Sequence, residues 1–233
     1  MPDTKFSWCG LREHLRKYFW IYLVGIALSL VGTNLLWTTT RPRVPNEQNV
    51  IVFLADAYSY TTPLQDVARD MLERTREFDD TLMEVEFQSL QYSDQDYSGP
   101  MLLMTRLAVG EGDAFLASQT VMDALVQSDA LVRLDESVAG GWLAEYPLEP
   151  YYATVVDEET GESETYLAGL RLDEVDALAQ MSAFNNEGAF LCVAGNGGNV
   201  ETTMKALEYM MEDLTALTTE ATDAGTEDTE PAA

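Results

Sequence analysis

VIVFLADAYSYTTPLQDVARDMLERTREFDD, Val50 to Asp80, decides the fold class. Its opening run, Val50 to Ala57, is apolar and rich in β-branched residues, the composition of a strand covered on both faces, as in a parallel sheet. A polar turn follows, then a helix. Thr62 is placed to cap that helix, Pro63 suits its first position, and Gln65 can return the capping bond to the backbone. Leu64, Val67, Ala68, Met71, Leu72 and Phe78 recur at spacings of three and four, which draws one apolar stripe down the helix.

The alternation continues downstream. LMEVEFQSL (Leu82 to Leu90) has strand composition, and SGPMLLMTRLAVGEG predicts a helix that ends at Gly110 or Gly112. DAFLAS (Asp113 to Ser118) is a third short strand, and Thr120 with Asp123 opens a helix through VMDALVQ. This order of elements predicts an α/β domain built on a single doubly wound, mostly parallel sheet with flanking helices. From Trp142 the pattern changes. PYYATVVD, EETGES and ETYLAGLRL read as a β-hairpin turning at Thr160-Gly161. A short helix in LDEVDALAQM, a strand in GAFLCVA and a helix from Asn199 to Leu217 complete the domain, 50–217.

Upstream lies KYFWIYLVGIALSLVGTNLLWTTTR, with 23 residues free of charged side chains between Lys17 and Arg41, where about 20 suffice to cross a bilayer core. Residues 18–40 therefore read as a transmembrane anchor. Trp20, Tyr22 and Trp37 lie near its ends, and Lys5, Arg12, Arg16 and Lys17 precede it, which places the short N-terminus, 1–17, in the cytoplasm. Leu35, Leu36 and Trp37 are bulky where a cleaved signal would carry small residues. RPRVPNEQN, 41–49, is a short extended spacer. The expected location is the plasma membrane, crossed once, with the C-terminal domain outside.

Acidic residues number 40 against 13 Lys and Arg, for a net charge of -27. Residues 1–40 hold 4 basic and 2 acidic side chains, so 9 basic and 38 acidic ones lie outside the membrane. Such a field repels phosphate backbones, and no nucleic-acid partner is expected. The last stretch, 218–233, has no large apolar residue and no cation, and reads as a disordered acidic tail. Cys9 and Cys192 fall on opposite sides of the membrane in this reading, so they cannot pair.

Two stretches resemble a known family. MTRLAVGEGDAFLASQTVMDALVQSDALVRLDE, Met104 to Glu136, resembles the segment of extracellular solute-binding proteins where a helix ends in glycines, a short strand follows, and the next helix leads to Leu-x-x-Leu-Asp, here Leu131 to Asp135. FLCVAGNGGNVETTMKALEYM, Phe190 to Met210, is similar to a later strand, polar loop and helix of that family, matching at Asn199, Glu201, Ala206, Leu207, Tyr209 and Met210. The family folds as two lobes that close on a solute. Roughly 170 residues suit one domain, so the resemblance implies a shortened, membrane-anchored, single-lobe relative without clamshell capture.

In a parallel sheet, ligands gather at the carboxyl ends of strands, where helix N-termini offer free N–H groups. The candidate ligand-binding residues there are Asp56, Tyr58, Tyr60, Ser118, Gln119 and Asn196, of types that also dominate turns and caps. The GNGGN loop lacks a third glycine, the position being Val200, and no Lys-Ser or Lys-Thr follows, so no nucleotide cofactor is expected. Asn199 instead reads as a helix cap. Asp94, Asp96, Ser98 and Gly99 have the spacing that opens a calcium loop, but Thr105 stands where a bidentate Glu is needed, so no metal is expected.

The single histidine, His14, precedes the apolar segment, which excludes His-based nucleophile activation outside the membrane. Asp79-Asp80 and Glu158-Glu159 read as solvated faces, and Cys192 as an inert core residue. The expected function is a membrane-anchored binding or interaction module, not an enzyme and without cofactor. It would have a membrane or cell-surface protein partner, or a small-molecule ligand of unknown identity. A tethered carboxylate-dependent hydrolase and a ligand-free structural assembly subunit are the alternatives.

Overall fold

The computed structural model describes residues 8–40, 44–93, 97–134, 141–142, 145–146, 148–156, 163–195 and 198–227. Met1–Arg43 and Val44–Ala233 are separate units. The first is one helix, α1 (Trp8–Thr40), with a break in helical geometry at Tyr18. Its stretch Arg16–Thr38 is long and apolar enough to cross a membrane, and none of it is buried. A side-chain surface of that kind is stable in lipid and can serve as a membrane anchor or a signal sequence.

The second unit is an α/β domain around one six-stranded sheet. In chain order its elements are β1 (Asn49–Asp56), α2 (Gln65–Phe78), β2 (Glu84–Gln91), α3 (Ser98–Ala108), β3 (Ala114–Ser118), α4 (Gln119–Gln127), β4 (Glu149–Val156), β5 (Ser163–Arg171), α5 (Ala177–Gln180), β6 (Ala189–Val193) and α6 (Val200–Glu227). The strand order is β2-β1-β3-β6-β5-β4. β1 pairs in parallel with β2 and with β3. The other three pairings, β3 with β6, β6 with β5 and β5 with β4, are antiparallel. The sheet is therefore mixed and mostly antiparallel, which corrects the expectation of a mostly parallel one. An apolar central strand carries no mark of its direction, and β6, buried at every position, satisfies either pairing equally.

The chain winds from β1 outward to β2, then back past β1 to β3, and this reversal sets helices on opposite faces. Val50, Val52 and Leu54 of β1 pack with Val67 and Met71 of α2 and with Leu207, Met210 and Met211 of α6. Phe53 and Ala55 point the other way, toward Leu103 and Leu107 of α3 and Val121, Met122 and Leu125 of α4. β1 and β3 are apolar on both sides because both sides are covered. The Phe53 and Phe115 rings stack across this seam, 5.5 Å between centroids.

Gly112 makes the stacking possible. Its φ of +97° belongs to glycine, and a Cβ there would lie 2.5 Å from the Phe53 ring. The β4/β5 hairpin forms as expected, with a register shift between Tyr151 and Tyr152, while its turn at Thr160-Gly161 lies outside the described residues. Thr62 begins a 3-10 turn (Thr62–Leu64) instead of capping α2, whose first turn has no side-chain cap. At the other end α6 runs on to Glu227, beyond Leu217 where the folded part was expected to stop.

Candidate functional site

Winding reversal at β1 puts a topological switch point at the carboxyl ends of β1 and β3, the position where open α/β sheets bind ligands. The register Ala55 to Ala117 sets Asp56 level with Ser118. Asp56, Ser118 and Gln119 are thus brought together at one edge, with the Tyr58–Tyr60 loop beside them. Gln119 turns along its own helix, donating through Nε2 to Asp123 Oδ1 at 2.8 Å.

The loop is braced from several sides. Ser59 Oγ donates to Leu54 O at 3.0 Å and lies 2.7 Å from Ser89 Oγ. The Tyr60 N–H donates to Ala183 O at 2.9 Å, and the Tyr92 N–H to Asp56 O at 3.1 Å. Ser59 is buried, whereas Tyr58 and Tyr60 are 79% and 63% exposed. A fixed backbone therefore holds two aromatic side chains out in solvent.

Because β6 is antiparallel, its beginning and the end of β5 arrive at this same edge, bringing residues that sequence reasoning missed. Arg171 Nε donates to Asp173 Oδ2 at 2.7 Å, and Asp173 Oδ1 accepts the Gly188 N–H at 2.6 Å. The Arg171 bond, with the Gly188 N–H, holds the Asp173 carboxyl below its ordinary range. Asp56 stands three strand spacings from Arg171, about 14 Å, too far to pair. The edge is thus polar, with the Arg171–Asp173 ion pair at one end and the Asp56 side chain at the other.

Asn196 lies outside the described residues. β6 is antiparallel to β3, so its carboxyl end, Val193, lies at the opposite edge of the sheet. There the Gly195 N–H donates to Ala130 O at 2.7 Å, and Asn199 Nδ2 donates to Asp79 Oδ2 at 3.2 Å. Thr202 Oγ1 also donates to that oxygen, at 2.8 Å, while the Thr81 N–H and Oγ1 donate to Oδ1 at 3.0 and 2.7 Å. These bonds, Thr81's first, hold Asp79 at about 2. Asp79 is a tie between the end of α2 and the start of α6, not a solvated face, and Asn199 stands directly before α6, its carbonyl accepting the Thr203 N–H at 3.0 Å.

Two carboxyls are pushed up to about 6. Burial raises Asp113, whose Oδ2 accepts the Ile51 N–H at 2.8 Å in the seam between β1 and β3. Asp213 is raised by burial and then by the charge of Asp70, where α2 meets α6 around Arg74. Both groups serve packing contacts away from Asp56. Cys192 is fully buried, its thiol pushed well up by burial. Asp94 and Asp96 lie outside the described residues, while Ser98 and Gly99 open α3. No family model matches this chain, and no curated protein matches it closely enough to be called similar.

Proposed function

We propose that this chain is an extracytoplasmic interaction module, tethered by α1 as an uncleaved anchor with its N-terminus in the cytoplasm, and resembling one lobe of a solute-binding protein. It binds a protein partner on the open edge formed by Asp56, Tyr58, Tyr60, Ser118 and Gln119, and it catalyses no reaction. One observation carries the reading: Tyr58 and Tyr60 stand exposed on a backbone fixed by Ser59, Ala183 and Tyr92. Aromatic side chains held in place before binding lose little entropy on association, and they dominate the energetics of interfaces. An enclosed solute site would need those rings turned inward.

A photo-crosslinking amino acid placed at position 58 of the full-length protein, in native membranes, tests this. One discrete adduct is expected, weakened by Tyr60→Ala and missing when the crosslinker replaces Glu73 on the outer side of α2. Equal adducts from both positions would sink the reading. External protease acting on sealed cells with a permeabilised outer envelope should remove the domain and leave residues 1–17 protected.

A further inference from the structure

The sheet has two outer edges, and they differ. β4 carries Pro150 and a register shift at Tyr151/Tyr152, devices that stop another strand from adding to an edge. β2 has neither. All eight of its residues, Glu84 to Gln91, pair in unbroken register with β1, and among the described residues no strand pairs with its outer side. Arg76 holds the carbonyls of Leu82 and Met83 just before it, so the free edge begins at Glu84.

A groove of about 590 Å³ runs along this edge. Met83, Glu84, Val85, Glu86 and Phe87 all line it. Side chains alternate between the faces of a strand, so consecutive residues can line one groove only where it follows the backbone edge itself. The opposite wall is α2, with Leu64, Ala68 and Leu72 one helical turn apart. The groove thus offers a row of backbone N–H and C=O groups beside an apolar wall, the two elements that strand addition uses for affinity and selectivity.

We propose that the outer edge of β2 accepts an extended, basic segment of a partner protein as a further strand. The charge of the groove selects that occupant. Glu84 and Glu86 line the β2 edge of the groove, on the strand face opposite Val85 and Phe87, and Arg69, the one cation among its described lining residues, is committed to Asp66 at 2.7 Å. A second copy of this chain is disfavoured, because edge-to-edge pairing would bring these glutamates against their own counterparts on chains of net charge -27. Apolar side chains of the incoming strand meet the partly buried Ala68 and Leu72, while lysine or arginine at the alternate positions meets the glutamates on the other face. This surface is separate from Tyr58 and Tyr60, and it stands or falls independently of them.

The test uses the full-length protein in nanodiscs of neutral lipid, with a capped peptide of alternating lysine and valine, about eight residues long, as the probe. Hydrogen exchange of the amides from Glu84 to Gln91 should slow on binding. The same peptide N-methylated at alternate residues keeps its charge but cannot form the ladder, and should not bind. Glu84→Lys with Glu86→Lys should weaken the unmodified peptide about tenfold, and Ala68→Trp, which fills the groove, should abolish binding. Equal binding of the N-methylated peptide, protection elsewhere in the domain, or edge-to-edge dimers of this chain would overturn the proposal. The two peptides compared on the unaltered protein decide it even if a variant fails to fold.

Discussion

The two halves of the sheet solve the same burial problem in different ways. In β2-β1-β3 each pair of strands is parallel, each connection is a helix, and α2 and α3 end up on opposite faces. In β6-β5-β4 the pairs are antiparallel, and the outermost strand, β4, leaves Tyr152 and Val156 half exposed or more. Helical connections force both faces of the parallel half to be covered, whereas a hairpin leaves one face free to meet water. The parallel half is therefore the rigid half, and the loop with Tyr58 and Tyr60 grows out of it. The junction is β3 with β6, at which polarity changes and the carboxyl ends of β1 to β3 meet the beginning of β6.

The sharpest way to break this contrast is to disturb one glycine in each half. Gly112→Ala combines a φ of +97° with a Cβ 2.5 Å from the Phe53 ring at the centre of the parallel half. It should lower stability by about 3 kcal/mol or more, measured by chemical denaturation. Gly169→Ala sets a Cβ 2.8 Å from the backbone carbonyl of Leu191 between β5 and β6 but needs no positive φ, so only the steric part of the penalty applies, at about 2 kcal/mol. Equal costs would show that the halves are equally rigid. Phe53→Leu in the Gly112→Ala background should recover part of the loss, since it removes the ring that the new methyl meets.

Sequence patterns reached the parallel half because each of its elements carries its own signal. Val50 to Ala57 is apolar throughout, and the stripe from Leu64 to Phe78 has helical spacing. Asp56, Tyr58, Tyr60, Ser118 and Gln119 were found together because strand order alone places them at one edge. β6 failed for a physical reason: FLCV is covered on both faces, and composition responds to cover, not to direction. That error hid Arg171 and Asp173, which the antiparallel β6 and β5 bring to the edge beside β3. The supports of the tyrosine loop, Ser89 and Ala183, are remote in sequence, and no local pattern announces a hydrogen bond between them and Ser59 or Tyr60.

The seam in the parallel half has a pH signature of its own. The Asp113 N–H donates to Ile51 O, its carboxylate accepts the Ile51 N–H, and its carbonyl accepts the Ala194 N–H of the strand beyond. Burial pushes the carboxyl up to about 6, above the value near 4 of an unfolded chain. A raised carboxyl stabilises the fold when protonated, fully below about pH 4, and that contribution is lost as pH rises through about 6. Between pH 4 and 7 the change is at most about 3 kcal/mol from this group. Asp213 adds a change of the same sign. Asp113→Asn should flatten the rise in stability on acidification from pH 7 to 5, and an unchanged slope would place the effect on Asp213.

Asp79 sharpens the comparison from the other side, because it ties the helix of the parallel half to the helix that follows β6. Its two carboxylate oxygens accept from Thr81, Thr202 and Asn199, joining the end of α2 to the start of α6. Asp79→Ala should cost about 1 kcal/mol at pH 7, the scale of a lost helix cap, since solvent screens the charge. Here the sign is opposite to that of Asp113. The carboxyl is held down to about 2, so its contribution is complete above about pH 4 and fades as pH falls from there through 2. On acidification the stability of the protein relative to Asp79→Ala should therefore fall, while its stability relative to Asp113→Asn should rise. Asp79→Asn keeps an acceptor for Thr202 and Thr81 and should recover part of the loss without the pH dependence. If it recovers none, the charge itself, and not the hydrogen bonds, holds the two helices together.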